Sequence, residues 1–282
     1  MLLIFIAGIL WGTIGLFVKT LTSLGASPSL ICVLRISFAF VIMLAVALFR
    51  HGRGIILTDR KALISCALLG LISQGAFNIF YTESIRINGM GIACVLMYTA
   101  PVFTAIASGI FFHERFSRVK VCALFVNIIG CILTVTGGDF SGTGVNVWGV
   151  LMGLGSGFGY GMAAIFGRMA GERTDSDIVS VYSNFAGAVF LSVFLRPALK
   201  VSAEIAGVAF LYALIPTAIA YLVYYIGLKK INDTSRVPVI ASIEPVTAVL
   251  LGMTVYGEKI GTANFIGVAV VLISIIIMAK SE

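Results

Sequence analysis

Two ionisable side chains stand apart in this sequence, because each lies inside a long apolar stretch. Arg35 lies a few residues into a run that begins near residue 29, and Glu244 lies near the middle of a later run, directly before Pro245. A charge in such surroundings is costly, so each side chain needs a compensating role. An arginine fork can hold both oxygens of a carboxylate, and a buried carboxylate can take up and release a proton.

Both residues also have a structural interpretation, and the sequence leaves the alternatives open. Glu244 can form an ion pair with Arg35, or accept hydrogen bonds from backbone groups beside Pro245, as a lock between helices. Arg35 can instead extend towards an interface, since it lies only about two turns into its run. Glu83 is better explained by a rim ion pair with Arg86 than by chemistry.

A third feature is a set of aromatic and amide side chains at helical spacings. Gln74, Asn78 and Tyr81 follow one another at intervals of four and three, which puts them on one helix face, and Tyr221 and Tyr225 form a similar stripe. A polar face on an apolar helix should meet a cavity or another helix, although any one tyrosine can equally serve packing. Aromatic walls suit flat or amphiphilic organic molecules. The predicted binding residues are Trp11, Arg35, Gln74, Asn78, Tyr81, Tyr98, Tyr160, Tyr182, Tyr221 and Tyr225.

The composition indicates what kind of element positions these side chains. Of the 282 residues, 60% are hydrophobic and 11% are charged, whereas soluble domains are about 25% charged. A soluble enzyme, a nucleic-acid binder and a disordered chain are therefore excluded, despite the net charge of +7. The predicted fold class is an all-α integral membrane protein with ten transmembrane helices. They are placed near 2–24, 29–49, 62–85, 89–112, 119–137, 147–170, 178–195, 206–228, 234–256 and 262–279.

The basic residues predict how these helices are oriented. Most lysines and arginines fall in connections on one side, such as Arg50, Arg60 and Arg118. The positive-inside rule places that side, with both termini, in the cytoplasm. The basic balance thus follows from topology, and no nucleic-acid partner is expected.

The chain also resembles itself at two fixed offsets. At 144 residues, Tyr81 matches Tyr225, Asn88 matches Asn232, Pro101 matches Pro245 and Glu114 matches Glu258. At 149 residues, Gly8 matches Gly157, Gly12 matches Gly161 and Lys19 matches Arg168. These matches define a first five-helix unit at 1–137 and a second at 147–280. Five is an odd number, so the second unit enters the membrane inverted, which is an architecture of secondary transporters.

Other residues carry structural or gating expectations. Pro101 and Pro245 each remove a backbone donor within a helix, and we interpret them as gating kinks, with static kinks as the alternative. The glycine-rich run 153–161 lacks the order of a nucleotide loop and predicts close helix packing. Glu114 and Glu258 are interpreted as interface anchors or gate contacts.

Together these residues resemble the EamA family of the drug/metabolite transporter superfamily. The resemblance covers essentially the whole chain and rests on Trp11-Gly12, Arg35, Tyr98-Thr-Ala-Pro101 with Phe-His-Glu114-Arg115, and Glu244-Pro245 with Tyr256-Gly257-Glu258-Lys259. It implies a ten-helix carrier of two inverted units that exports or imports small metabolites, including amino acids, cofactors and cationic drugs. One departure is Asn184, the repeat counterpart of Arg35.

We therefore expect a secondary active exporter of small organic metabolites, such as amino acids or related compounds. The resemblance further implies a prokaryotic inner membrane. Proton coupling is assigned to Glu244, and the alternative function is a multidrug or organic-cation exporter. A membrane-embedded enzyme is disfavoured because GxSxG, HExxH and paired intramembrane aspartates are missing, and a channel because no filter-like loop occurs. No cofactor or metal is expected. The expected partners are the lipid bilayer, a small-molecule substrate and, if transport is proton-coupled, protons. The oligomeric state is left open between monomer and homodimer.

Overall fold

A computed structural model describes residues 1–56, 59–114, 117–138, 146–193, 201–257 and 261–280, without the side chains of 53 and 89–91. The described residues form helices and short connections, with no strand among them. Nine helices in this part of the chain are long and apolar enough to cross a membrane. They are Leu2–Ser23, Pro28–His51, Arg60–Asn88, Ile92–Phe112, Arg118–Thr136, Val147–Gly171, Ala203–Leu228, Thr234–Tyr256 and Thr262–Lys280.

Several of these spans consist of more than one regular helix. The α-helices are α1 Leu2–Gly12, α2 Ile14–Ser23, α3 Pro28–His51, α4 Arg60–Leu68, α5 Phe77–Met97, α6 Ala100–Phe112, α7 Arg118–Thr136, α8 Val147–Gly171, α9 Ser176–Ser192, α10 Ala203–Ala213, α11 Ala220–Leu228, α12 Val237–Ala241, α13 Ile243–Tyr256 and α14 Thr262–Lys280. The chain reverses within α5, because Tyr81 and Cys94 touch at 2.8 Å. A straight helix would separate them by about 20 Å.

The predicted crossing near 178–195 coincides with α9, which has 17 residues. Asp177, in its first turn, binds Arg50 at 3.0 Å, so α9 begins at the end of the bundle where α3 finishes. The next helix, α10, begins at the other end, because Ile205 packs with Leu30 and Ile31 from the start of α3. These contacts favour α9 as a further crossing, since 17 residues lie within the range for a spanning helix.

Two wide helical turns interrupt matching spans. A π-helix covers Leu69–Ala76 between α4 and α5, and another covers Leu214–Ile219 between α10 and α11. The two segments are related by the 144-residue offset to within one residue. π-helical turns are rare and occur often at functional sites.

Two further spans are broken at equivalent positions. The helix ends at Tyr98, with ψ of 5°, and again at Ser242, with ψ of 5°, and these residues are 144 apart. A new helix then starts, with Pro101 near the beginning of α6 and Pro245 near the beginning of α13. Each span is therefore interrupted three residues before its proline, and a gating role for the two prolines stays a prediction. Each lies in a first turn, where a missing backbone N–H leaves no hydrogen bond unmade.

Four glycines bring helices close to these broken segments, which confirms the predicted glycine packing. A Cβ on Gly12 would lie 2.8 Å from the carbonyl oxygen of Glu244, and one on Gly161 would lie 2.7 Å from that of Ala100. A Cβ on Gly8 would lie 2.7 Å from the carbonyl oxygen of Ala241, and one on Gly157 would lie 3.3 Å from that of Met97. The contacts repeat at both offsets, so each half supplies a helix that packs on the broken helix of the other half.

We expect Gly12→Ala to destabilise the protein, by about 1–3 kcal/mol, because overpacking forces neighbouring atoms to shift. The new methyl would meet Thr247 Cβ at 2.5 Å. Gly15→Ala is the matched control, since no atom lies within 4 Å of its Cβ position. Thermal unfolding in detergent should show a lower midpoint for the first variant alone. Equal midpoints for both variants would contradict the close packing of Gly12.

Candidate functional site

Arg35 lies in the interior of the helix bundle, held by neutral partners. Its side chain is 6% exposed. It donates one hydrogen bond to Asn78 Oδ1 at 3.1 Å and one to the Tyr212 hydroxyl at 3.3 Å. The alternative that Arg35 extends to an interface is therefore wrong, because its hydrogen bonds hold it against α5 and α10.

The polar stripe that begins at Gln74 surrounds this guanidinium. Asn78 donates to the Gln74 carbonyl oxygen at 2.5 Å, which turns its own oxygen towards Arg35. Gln74 is 1% exposed and belongs to the π-helix. Arg35 Nε and Gln74 Oε1 have no hydrogen-bond partner among the described residues. Buried polar atoms normally have partners, so these two are available to a polar group of a ligand.

A continuous row of aromatic rings passes through the centre of the bundle, and we call it the aromatic row. It runs from Tyr81 to Phe77 at 5.8 Å between ring centroids, then to Tyr160 at 5.9 Å and Trp11 at 6.2 Å. Trp11 contacts Tyr221 at 5.1 Å. The row ends at Tyr224 and Tyr225, which contact Tyr221 and each other. Five predicted binding residues thus form one surface.

Glu244 is attached to this row. Its carboxylate accepts a hydrogen bond from the Tyr160 hydroxyl at 2.8 Å, and its side chain is only partly buried. It lies in the first turn of α13, where the positive end of the helix dipole favours a negative charge. This position, directly after the break at Ser242, lowers the cost of an ionised carboxylate within the membrane.

Arg35 and Glu244 do not pair with each other. No ion pair within 4.0 Å involves either residue among the described part of the chain. The proposed structural lock between them is therefore wrong, because each has found neutral partners instead. Tyr221 contacts Trp11, which contacts Tyr160, the partner of Glu244.

Two further predicted residues flank the aromatic row, and one residue of the site was not predicted. Tyr98, at the helix break, is 7% exposed and packs in a cluster that includes Tyr81 and Tyr160. Tyr182 packs against the same core cluster as Tyr221. Tyr212 was missed, although it binds Arg35. A regular helix would put it half a turn away from Tyr221, and the π-helix between them changes that register.

A cavity of about 170 Å³ reaches the Arg35 cluster from the end opposite Arg50. Its lining includes Asn78, Cys32, Pro28 and Glu83. Glu83 accepts from Arg86 Nε at 3.0 Å, which confirms the predicted rim ion pair. The volume accommodates several water molecules, and the cavity shares Asn78 with the Arg35 cluster.

We expect Cys32 to react with small charged thiol reagents through this cavity. Its Sγ lies 3.6 Å from Asn78 Oδ1, which also binds Arg35. An anionic methanethiosulfonate should therefore react about threefold faster than a cationic one, relative to their rates with a free thiol, because a nearby positive charge attracts it. Cys66 is the control, since it is fully buried. Mass spectrometry of the purified protein would show the pattern, and equal labelling of the two cysteines would contradict it.

Ion pairs close the other end, which we call the basic end. Glu114 accepts from Arg168 Nη1 at 2.6 Å and from the backbone amides of Thr234 and Ser235 at 2.8 and 3.1 Å. Burial alone would raise the pKa of Asp233, but hydrogen bonds from Lys120, Ser235 and Arg236 outweigh it and lower the pKa to about 2. Asp233 therefore stays ionised at neutral pH and does not exchange protons there.

The basic end also contains the group of potential metal ligands found among the described residues. The ligand atoms of His51, Asp175 and Asp177 lie within 4.8 Å of one another. Asp177 Oδ2 already binds Arg50 at 3.0 Å and His51 Nε2 at 2.9 Å. We interpret the group as an ion-pair cluster that joins α3 to α9.

Comparisons with known proteins agree with this architecture. The sequence model of the EamA-like transporter family matches residues 1–136 and 147–280. A protein from Archaeoglobus fulgidus named as an uncharacterized transporter is 24% identical, over 97% of this chain and 94% of its own length. The uncharacterized inner membrane transporter YicL of Salmonella typhimurium is 21% identical, over 99% and 94%.

YedA of Escherichia coli (strain K12), also named an uncharacterized inner membrane transporter, is 24% identical over 97% of this chain and 88% of its own length. A crystal structure with 19% sequence identity superposes with a TM-score of 0.83, covering 99% of this chain and 97% of that one. This similarity establishes the fold. The names of the relatives indicate a transporter rather than an enzyme.

Proposed function

This chain belongs to the EamA-like transporter family, and we propose that it is a secondary active transporter that exports small organic metabolites, with amino acids or related compounds as substrates. It is a multi-pass membrane protein. In the proposed mechanism the substrate binds along the aromatic row, between Arg35 and Glu244, and the two ends of the bundle open in turn.

The observation that carries this proposal is the separation of two charges within the spans. Arg35 has no carboxylate partner and Glu244 has no cationic partner among the described residues. A substrate with a carboxylate and an ammonium group can satisfy both at once, because an arginine fork binds a carboxylate and a carboxylate binds an ammonium. The apolar part of such a substrate can lie against Trp11 and Tyr221.

The proposed topology has ten spans, with α9 as the seventh. The unit at 1–137 and the inverted unit at 147–280 each contribute five spans. The excess of basic residues at the basic end supports a cytoplasmic location for that end and for both termini. The named relatives support an inner membrane.

Proton coupling is the further part of the proposal, and it is assigned to Glu244. Its side chain is partly buried, and its one protein hydrogen bond comes from the neutral Tyr160 hydroxyl. Nothing cationic among the described residues holds it ionised. A proton and a substrate ammonium can therefore compete for the same carboxylate, which links their movements.

The test is a substrate panel on proteoliposomes, read by solid-supported membrane electrophysiology at several pH values. We expect saturable currents with zwitterionic amino acids that depend on the pH gradient. Currents with organic cations alone would instead support the multidrug or organic-cation alternative, which the unpaired Arg35 disfavours. A linear, unsaturable response would indicate a channel.

A further inference from the structure

Two cation–π contacts lie at opposite ends of the bundle. At the basic end, the guanidinium carbon of Arg168 lies 4.1 Å from the ring centroid of Phe112. At the other end, Lys19 Nζ lies 3.9 Å from the ring centroid of Tyr256. A cation over an aromatic face within about 6 Å is attracted to it.

The internal repeat relates the two cation–π contacts to each other. Phe112 and Tyr256 are 144 residues apart, and Lys19 and Arg168 are 149 apart. These are the offsets that relate the glycine contacts and the helix breaks. Each contact also joins the two halves, because its cation and its ring come from different halves.

The two contacts differ in burial. Arg168 and Glu114 have side chains 18% and 10% exposed. Arg168 also donates to Thr234 Oγ1 at 2.6 Å, so it joins α8 to the end of α6 and to the segment at Thr234. Lys19 is exposed, and Tyr256 is 40% exposed. Charged contacts weaken with exposure to water, which makes the basic-end contact the tighter one.

We propose that these two cation–π pairs are the alternating gates of the transport cycle, and that the tighter Arg168–Phe112 pair keeps the basic end closed at rest. This inference rests on the proposed transport function. A bundle that opens one end at a time must separate the halves at that end. Each pair is a contact between the halves at one end, and repeat symmetry requires that what closes one end has a counterpart at the other.

The experiment measures opening without a substrate. Ala107 is 7% exposed and lies five residues before Phe112 on α6. Ala107→Cys, in a variant without the five native cysteines, is labelled with a membrane-impermeant maleimide in nanodiscs. We expect Arg168→Ala to raise the labelling rate by at least about 5- to 30-fold, the strength of a partly desolvated cation–π contact, because it also removes the bonds to Glu114 and Thr234. Arg173→Ala is the control, because Arg173 forms an exposed ion pair with Asp59 at the same end.

Two further variants separate a gate from general loosening. Phe112→Tyr keeps a ring, as the other half does at Tyr256, and should leave the rate within about twofold, whereas Phe112→Leu should raise it. Lys19→Ala should lower the rate, because a weakened far end favours a closed basic end. An unchanged or higher rate in Lys19→Ala, or equal rates in the two Phe112 variants, would overturn the proposal. Labelling needs no transport, so these outcomes are independent of whether the substrate panel succeeds.

Discussion

Replacing Arg35 with glutamine should remove most transport of carboxylate-bearing substrates while the protein still folds. Glutamine keeps a polar group near the position of Arg35 Nε, but it lacks the Nη atoms that bind Asn78 and Tyr212 and provides neither the charge nor the fork. A charged hydrogen bond contributes roughly 1.5–3 kcal/mol, so we expect the half-saturating substrate concentration to rise about 10- to 100-fold. Counterflow exchange in proteoliposomes measures this directly.

Two comparison variants sharpen this result. Arg86→Gln removes an arginine that is 68% exposed and paired with Glu83 at the rim, so it should leave transport unchanged. Arg35→Lys keeps a charge without the planar fork and should be intermediate. If Arg35→Gln lowered the thermal midpoint but left the half-saturating concentration unchanged, Arg35 would be a structural residue.

The repeat was the most productive prediction from the sequence, and the recurrence of contacts at its offsets has a physical basis. Glycine and proline determine local geometry, so their recurrence at one offset implies recurring backbone contacts. Gly12 and Gly161 indeed pack on the backbone at Glu244 and Ala100, which are themselves 144 residues apart. The inward direction of the Gln74–Asn78 stripe was predictable for a similar reason, because amides are costly in lipid.

The features that could not be predicted depend on tertiary structure. No residue type specifies a π-helix, so the segments at 69–76 and 214–219 gave no signal, and the role of Tyr212 was hidden with them. The exact position of each helix break, three residues before its proline at Tyr98 and Ser242, also gave no signal in the sequence. At Ser242 the hydroxyl accepts a hydrogen bond from Asn127 at 2.6 Å. The partners of Glu114 include backbone amides, which every residue but proline has.

The two halves are alike in scaffold and different in chemistry. Asn184 takes the place of Arg35 in the second half and donates to Ser180 Oγ at 3.1 Å. The first half therefore provides a positive group and the second half, through Glu244, a negative one. In the proposed transport cycle this asymmetry would orient a ligand between the two groups, and the symmetric glycines, breaks and proposed gate pairs would provide the motion.

Replacing Glu244 with glutamine should uncouple transport from the proton gradient. The amide oxygen can still accept the hydrogen bond from the Tyr160 hydroxyl, so the packing around the aromatic row is preserved. The side chain can no longer bind and release a proton, so an imposed pH gradient should not drive accumulation of substrate. Exchange of labelled for unlabelled substrate should continue, with weaker binding of the ammonium group.

The pair of assays distinguishes coupling from binding and from folding. Loss of both accumulation and exchange, with an unchanged thermal midpoint, would make Glu244 a substrate ligand without a coupling role. Accumulation that still follows the pH gradient in Glu244→Gln would exclude this carboxylate as the coupling group. Glu83→Gln is the matched control, because Glu83 is held by Arg86 at the rim, and it should behave as the unmodified protein in both assays. In the proposed cycle, only a carboxylate without a cationic partner can exchange its proton for a substrate charge. Among the described residues, Glu244 alone combines this property with a position at a helix break.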